Sequence, residues 1–214
     1  MNGTKKIHSI IRRRLASLRD HLRNVSEKHK LLVLSLAVGI CSGLAAVLLE
    51  TLVETIHHQL TFWFSGSADN YLLLVYPGLG MLLSLLIVRY FVKDKIGHGV
   101  TKVLVAVSKN ESKIKPHNMW SSIVTSSLTI GFGGSVGAEA PIVYTGAAIG
   151  SNFARWMGMS YRNITILLGC GAAAAVAGIF KAPLAGVLFT VETLLFNISI
   201  ASWIPLLLCS VAAT

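Results

Sequence analysis

Residues 131–143 read GFGGSVGAEAPIV, a glycine-rich break that holds one acid, Glu139, two residues before Pro141. No Asp, Glu, Lys or Arg lies between Lys115 and Glu139, or between Glu139 and Arg155. The carboxylate therefore stands alone in a mostly apolar or small-residue run of roughly forty, enough to cross a bilayer about twice. An isolated intramembrane carboxylate is a functional group by default. Gly133, Gly134 and Gly137 permit left-handed or extended backbone, and Pro141 suits the first turn of a helix, where its missing N–H is an orphan anyway. The pattern predicts a helix starting at Ala140 or Pro141, with the first N–H groups, of Ile142, Val143 and Tyr144, pointing back along the break. Such a helix end in a low-dielectric setting attracts an anion. Glu139, tethered beside it, can take the anion's place and leave when protonated, which makes it a candidate gate. The plainer reading of the same residues is a helix cap with Glu139 neutral or paired to a lysine.

Composition sets the surroundings. Of 214 residues, 53% are hydrophobic and 13% charged, and mean hydropathy is +0.66. A soluble core of this size cannot hide that much apolar surface, so the chain reads as an all-α polytopic membrane protein. The net charge of +10 is concentrated before the first apolar run, in Lys5, Lys6, Arg12, Arg13, Arg14, Arg19, Arg23, Lys28 and Lys30. That placement argues against nucleic acid and for a cytoplasmic N-terminus touching anionic lipid. Cys41, Cys170 and Cys209 lie in apolar segments without CxxC or Cys/His spacing, so all three read as buried free thiols, and neither metal nor cofactor is expected.

Residues 1–30 form a basic cytoplasmic segment, amphipathic from residue 7, with Ile7, Ile10, Ile11, Leu15, Leu18 and Leu22 at helical spacing. Residues 31–214 form the membrane domain. Residues 31–49 carry no charge and make the first span, which Glu50 and Glu54 continue outward. His57 and His58 follow, but four such residues at this spacing are nonspecific as a metal site. SGSADN at 65–70 is an outside turn and 71–88 the second span. Basic residues then return at Arg89, Lys93, Lys95, Lys102, Lys109, Lys113 and Lys115, as the positive-inside rule requires. KIGHGVT at 95–101 is a second break, followed by too few apolar residues to span; it predicts a half-helix whose start brings the N–H groups of 97–99 toward the membrane centre. A short helix over 120–130, rich in Ser and Thr, leads to the Glu139 break. The helix after it runs to about Met157, a small-residue span covers 163–180, Lys181-Ala182-Pro183 interrupts it, and one more helix carries Glu192 and Thr193. The final apolar run ends without a polar cap, which predicts that these residues are the front part of a longer protein.

GHGV at 97–100, GAEAP at 137–141 and GAAAAVAGIFKAPLAG at 171–186, in that order, resemble the CLC family of chloride channels and chloride/proton exchangers. The resemblance covers about 31–214 and implies the first of two inverted-topology halves of a broken-helix fold, a homodimer with one pore per subunit, and transport of chloride or another small anion with or without protons. It also implies a multi-pass location, in a bacterial inner membrane. It assigns the gating role to Glu139 and anion binding to Gly97, His98, Gly99, Val100, Ala140, Pro141, Ile142 and Val143. His98 stands where many members have serine, Val100 and Thr101 where an Ile-Pro pair is common, and Ala138 and Ala140 replace the arginine and glycine of GREGP. Chloride, fluoride and nitrate therefore all stay open as the preferred anion. Glu192 matches a buried family glutamate, as a structural anchor or a proton-path group, and Thr193 stands where many exchangers keep a proton-passing glutamate. Channel and exchanger both remain open.

Two other classes compete. GGSVG at 133–137 satisfies the GxSxG pattern of hydrolases, with Ser135 as the nucleophile, yet all seven histidines lie at or before His117. A membrane scaffold that transports nothing would also use small-residue helices, but it gains nothing from an isolated Glu139.

Overall fold

A computed structural model describes residues 27–64, 72–92, 99–194 and 202–214. The expected amphipathic stretch before residue 27 lies outside these, as do the 65–70 turn, Gly97 and His98. Helix α1 is Glu27–Phe64, α2 Leu72–Ile87 continued by a π-helical turn Val88–Val92, and α3 Gly99–Lys109. Then come α4 Asn118–Gly131, α5 Glu139–Trp156, α6 Tyr161–Phe180, α7 Pro183–Leu194 and α8 Trp203–Ala212.

The first helix is longer than the uncharged run implied, and residues 27–30, expected in the basic segment, belong to it. Its 38 residues extend about 57 Å, well beyond a hydrocarbon core of about 30 Å. Charges at Glu50 and Glu54 limit how far it lies in lipid, but they do not interrupt a helix. One face, Leu34, Val38, Ser42, Ala45, Ala46 and Leu49, is buried at helical spacing. The opposite face, Val33, Ile40, Leu44 and Val47, is equally apolar and exposed. A helix apolar all round, with half its surface uncovered, is suited to lipid. Leu79, Leu82 and Leu86 on α2, and Leu184 and Leu188 on α7, are likewise exposed.

Helix α6 is the hub. Its apolar window is 72% buried, against 44% for α1, and Ala172 to Ala175 are fully enclosed. The small residues let α5 approach at backbone distance: a side chain on Gly146 would strike the Gly171 carbonyl, and one on Gly171 the Gly146 carbonyl. Between α6 and α7, Lys181 takes a left-handed conformation (φ 51°), and Pro183 opens α7. Cys170 and Cys209 are buried free thiols as expected, whereas Cys41 is only half-buried.

The loop between α3 and α4 is pinned by polar groups of α5, Ser151 and Asn152 buried and Arg155 exposed. Ser151 Oγ donates to Ser112 O (2.6 Å) and accepts from Ile114 N (3.2 Å), while Asn152 Nδ2 and Arg155 Nη1 both donate to Ile114 O at 3.2 Å. The buried Ser151 and Asn152 thus find partners where water is scarce. Arg155, the basic residue in the last turn of α5, is also a clamp on this loop.

Candidate functional site

The glycine-rich break is first of all the end of α4. Gly133 has φ 86°, a left-handed value suited to glycine, and the amides of Gly133 and Gly134 donate to Ile130 O and Thr129 O, both at 2.9 Å. This pair of bonds is a Schellman cap, which turns the chain sharply and satisfies the last carbonyls of α4. The cap is seated on α2: a side chain on Gly80 would lie 2.6 Å from Phe132 Cβ, and Gly133 approaches Pro77.

From there the chain reverses into α5. The helix starts at Glu139, one residue before the earlier of the two starts expected, with Ala138 as N-cap and no side-chain cap bond. Pro141 is therefore the third helical residue. This corrects the donor set. Ile142 N donates to Ala138 O at 3.2 Å, so its amide, and by helix geometry those of Val143 and Tyr144, are spent inside the helix. The amides without an intrahelical acceptor are those of Glu139 and Ala140, while Pro141 has none. The side chains of Ile142 and Val143 are core, 1% and 0% exposed.

Glu139 is exposed in this chain, and its carboxylate folds back over Gly137, with Oε2 where a Gly137 side chain would stand. Ala138 and Gly137 offer no bulk to hinder it. Helix α3 supplies the second wall. Its first residue, Gly99, lies so close to α5 that an added Cβ would strike the Ala140 carbonyl oxygen and lie 2.8 Å from its carbon and 3.2 Å from Tyr144 Cβ. The first residue of α3 thus lies against the first turn of α5. Val100 is half-buried and packs on the core.

The remaining candidates are placed less tightly. Glu192 is exposed on α7, not buried as the family resemblance implied. Thr193 is half-buried and its hydroxyl donates to Phe189 O at 2.6 Å. Ser135 is exposed just beyond the end of α4, whereas His117 caps its start, about 20 Å away along a 14-residue helix. That separation removes the one histidine nearest in sequence from Ser135. Among the described residues no group of three or more His, Cys, Asp and Glu is placed to hold a metal ion. A contact with no sequence signal is Lys102 Nζ over the Tyr144 ring, 5.4 Å from its centroid.

Comparison with known proteins bears on this arrangement. The model of the voltage gated chloride channel family matches residues 80–214. A ClcB-like protein of Ralstonia nicotianae is 28% identical over 193 residues, which cover 83% of this chain and 45% of the relative. The H+/Cl− exchange transporter ClcA of Klebsiella pneumoniae is 29% identical over 191 residues, 81% of this chain and 39% of the relative. The chain thus spans less than half the length of these relatives. Among solved structures, a slow cyanobacterial Cl−/H+ antiporter superimposes with TM-score 0.73 at 24% identity, over 89% of this chain and 46% of that one. A CLC-type fluoride/proton antiporter gives 0.69 at 22% identity, over 86% and 46%. At these identities the likeness is one of fold.

Proposed function

Because the chain belongs to the voltage-gated chloride channel family, and so is an integral membrane protein, we propose that it supplies one wall of a pathway for chloride or a similar small anion. The observation that supports the proposal is the backbone contact of Gly99 with Ala140, which brings the first residue of α3 against the first turn of α5, the turn that begins at Glu139. A like pair of partial positive charges gains from an anion between them. In this reading the amides of Glu139 and Ala140, with those at the start of α3, attract the anion. Glu139 competes for the same place while ionised and vacates it on protonation.

The basic residues gathered at the inner loops support a cytoplasmic N-terminus in a bacterial inner membrane, and the exposed apolar faces of α7 and α8 support a homodimer. Protons enter as the gate's second ligand. Their net movement is the branch that divides channel from exchanger.

The complete polypeptide, reconstituted in liposomes under an outward chloride gradient, tests the reading. The wild type is expected to release chloride with a rate that depends on pH, and Glu139→Gln, an uncharged mimic of the protonated acid, to lose that dependence. A wild-type pH profile in Glu139→Gln would remove the gate. Proton uptake against a gradient by the wild type alone identifies an exchanger.

A further inference from the structure

Lys102 is not among the residues of the proposed gate. It stands in the first turn of α3, where a positive side chain faces the positive end of the backbone dipole. Lys109, in the last turn, has the favoured polarity and is exposed. Lys102 instead is half-buried, with its Nζ 5.4 Å from the centroid of the Tyr144 ring. That ring is itself only 8% exposed, and its Cβ is one of the atoms against Gly99. Tyr144 therefore reaches from the junction of α3 and α5 to the ammonium. Helical side chains lean toward the N-terminus, which carries the Lys102 head back toward the same junction. The face of a tyrosine ring attracts a cation and is worth most where water is partly excluded. A flexible lysine that would otherwise turn into solvent is thus held in place.

We infer that Lys102, held by Tyr144, is an affinity-setting residue for a small inorganic anion at the junction of α3 and α5. This rests on the function proposed above. The ammonium adds a full positive charge to two partial ones, so it raises anion occupancy at the junction. Its signature is a change in the half-saturating anion concentration at little cost in maximal rate. A unit charge within about 10 Å of an anion, at an effective dielectric near 20, changes affinity about tenfold, and screening lowers this to about threefold.

The test is chloride flux by the complete polypeptide in liposomes, measured against chloride concentration for wild type, Lys102→Met, Lys102→Arg and Tyr144→Leu, with halide binding by calorimetry on the same proteins in detergent. Lys102→Met is expected to raise the half-saturating concentration about three- to tenfold with maximal rate kept within about twofold, Lys102→Arg to restore it, and Tyr144→Leu to fall between. An unchanged half-saturating concentration in Lys102→Met overturns the inference and leaves the proposed function standing. Equal losses of maximal rate in Lys102→Met and Lys102→Arg also overturn it, since they reveal a packing role. If the wild type moves no chloride, the transport reading fails by itself; weaker chloride binding by Lys102→Met then still upholds the inference, and no chloride binding by the wild type ends both.

Discussion

Replacing Gly99 by alanine adds a single methyl at the contact on which the proposed pathway depends. The ideal Cβ would lie 2.8 Å from the Ala140 carbonyl carbon and 3.2 Å from Tyr144 Cβ, and nearer still to the carbonyl oxygen. Ordinary carbon contacts are about 3.5–4.0 Å, so the first turn of α3 must retreat by about 1 Å. The obstacle is backbone of α5, which is itself locked to α6 at Gly146 and Gly171 and cannot yield as a side-chain tip would. Overpacking of this kind costs about 1–3 kcal/mol, partly offset by alanine's better helix propensity, at most about 1 kcal/mol. The functional loss is larger than the loss of stability, because a group misplaced by about 1 Å can lose up to about 100-fold in effectiveness. Chloride efflux from liposomes and a melting curve in detergent measure the two effects. Gly78→Ala is the control, since nothing lies within 4 Å of a Cβ there. Efflux at least about tenfold below that control is expected, with a melting temperature lower by a few degrees. If Gly99→Ala matches Gly78→Ala in both, the two helix starts do not form one site.

Gly146→Val places methyl groups against the Gly171 carbonyl, with Ala175 Cβ 2.7 Å from the new Cβ, so the melting temperature in detergent should fall by about 5 °C or more; no change would mean that α5 and α6 are not held at backbone distance. Lys113 holds the Glu111 carboxyl below its ordinary value, first by a hydrogen bond and then by charge. A depressed carboxyl stabilises above its unfolded pKa and loses that contribution as pH falls through its folded one. Glu111 is fully exposed, however, so Glu111→Gln should melt within about 1 °C of wild type at neutral pH, and a clear drop would show the pair to be structurally important. Thr193→Val should leave proton movement in the liposome assay as it is in wild type, because the Thr193 hydroxyl proton is already donated to Phe189 O; loss of proton movement would place Thr193 on the path.

The helices were legible because lipid and protein make simple demands on sequence. Uncharged runs mark spans, and the gaps at 95–101 and 131–143 mark breaks. The ends were less legible. Pro141 fits any position of a first turn, since all of those amides lack an intrahelical partner, and so it could not distinguish a start at Pro141 from the actual start at Glu139. That shift of one or two residues moved the donors from Ile142, Val143 and Tyr144 to Glu139 and Ala140. Glycines at 133 and 134 announced a turn, but a Schellman cap depends on which amide meets which carbonyl, and composition does not contain that. The Lys102–Tyr144 contact joins residues 42 apart on separate helices and has no local signature. The Arg155 contact has no sequence signal either, because its partner, Ile114 O, is a backbone atom, and backbone acceptors are the same at every position.

The donors proposed for the anion are backbone amides, so in this reading alanine at 138 and 140 is compatible with the site, and glycines at more distant positions set where those amides stand. An amide cannot be re-aimed by a rotamer; its direction is that of the helix that bears it. The position of α5 is fixed along its length by the Gly146–Gly171 approach, by Gly150 against Leu167 O, and by the Ser151, Asn152 and Arg155 bonds to the inner loop. The position of α3 is fixed by Gly99 against Ala140. Close-packed interiors transmit small displacements and do not absorb them, so a methyl at Gly146, two turns into the helix, acts on the same amides as one at Gly99. Glu139 is the exception, a charged side chain on a rigid start with only Gly137 behind it. A side chain that turns on its own bonds, on a helix start fixed by backbone contacts, is what the proposed gate requires.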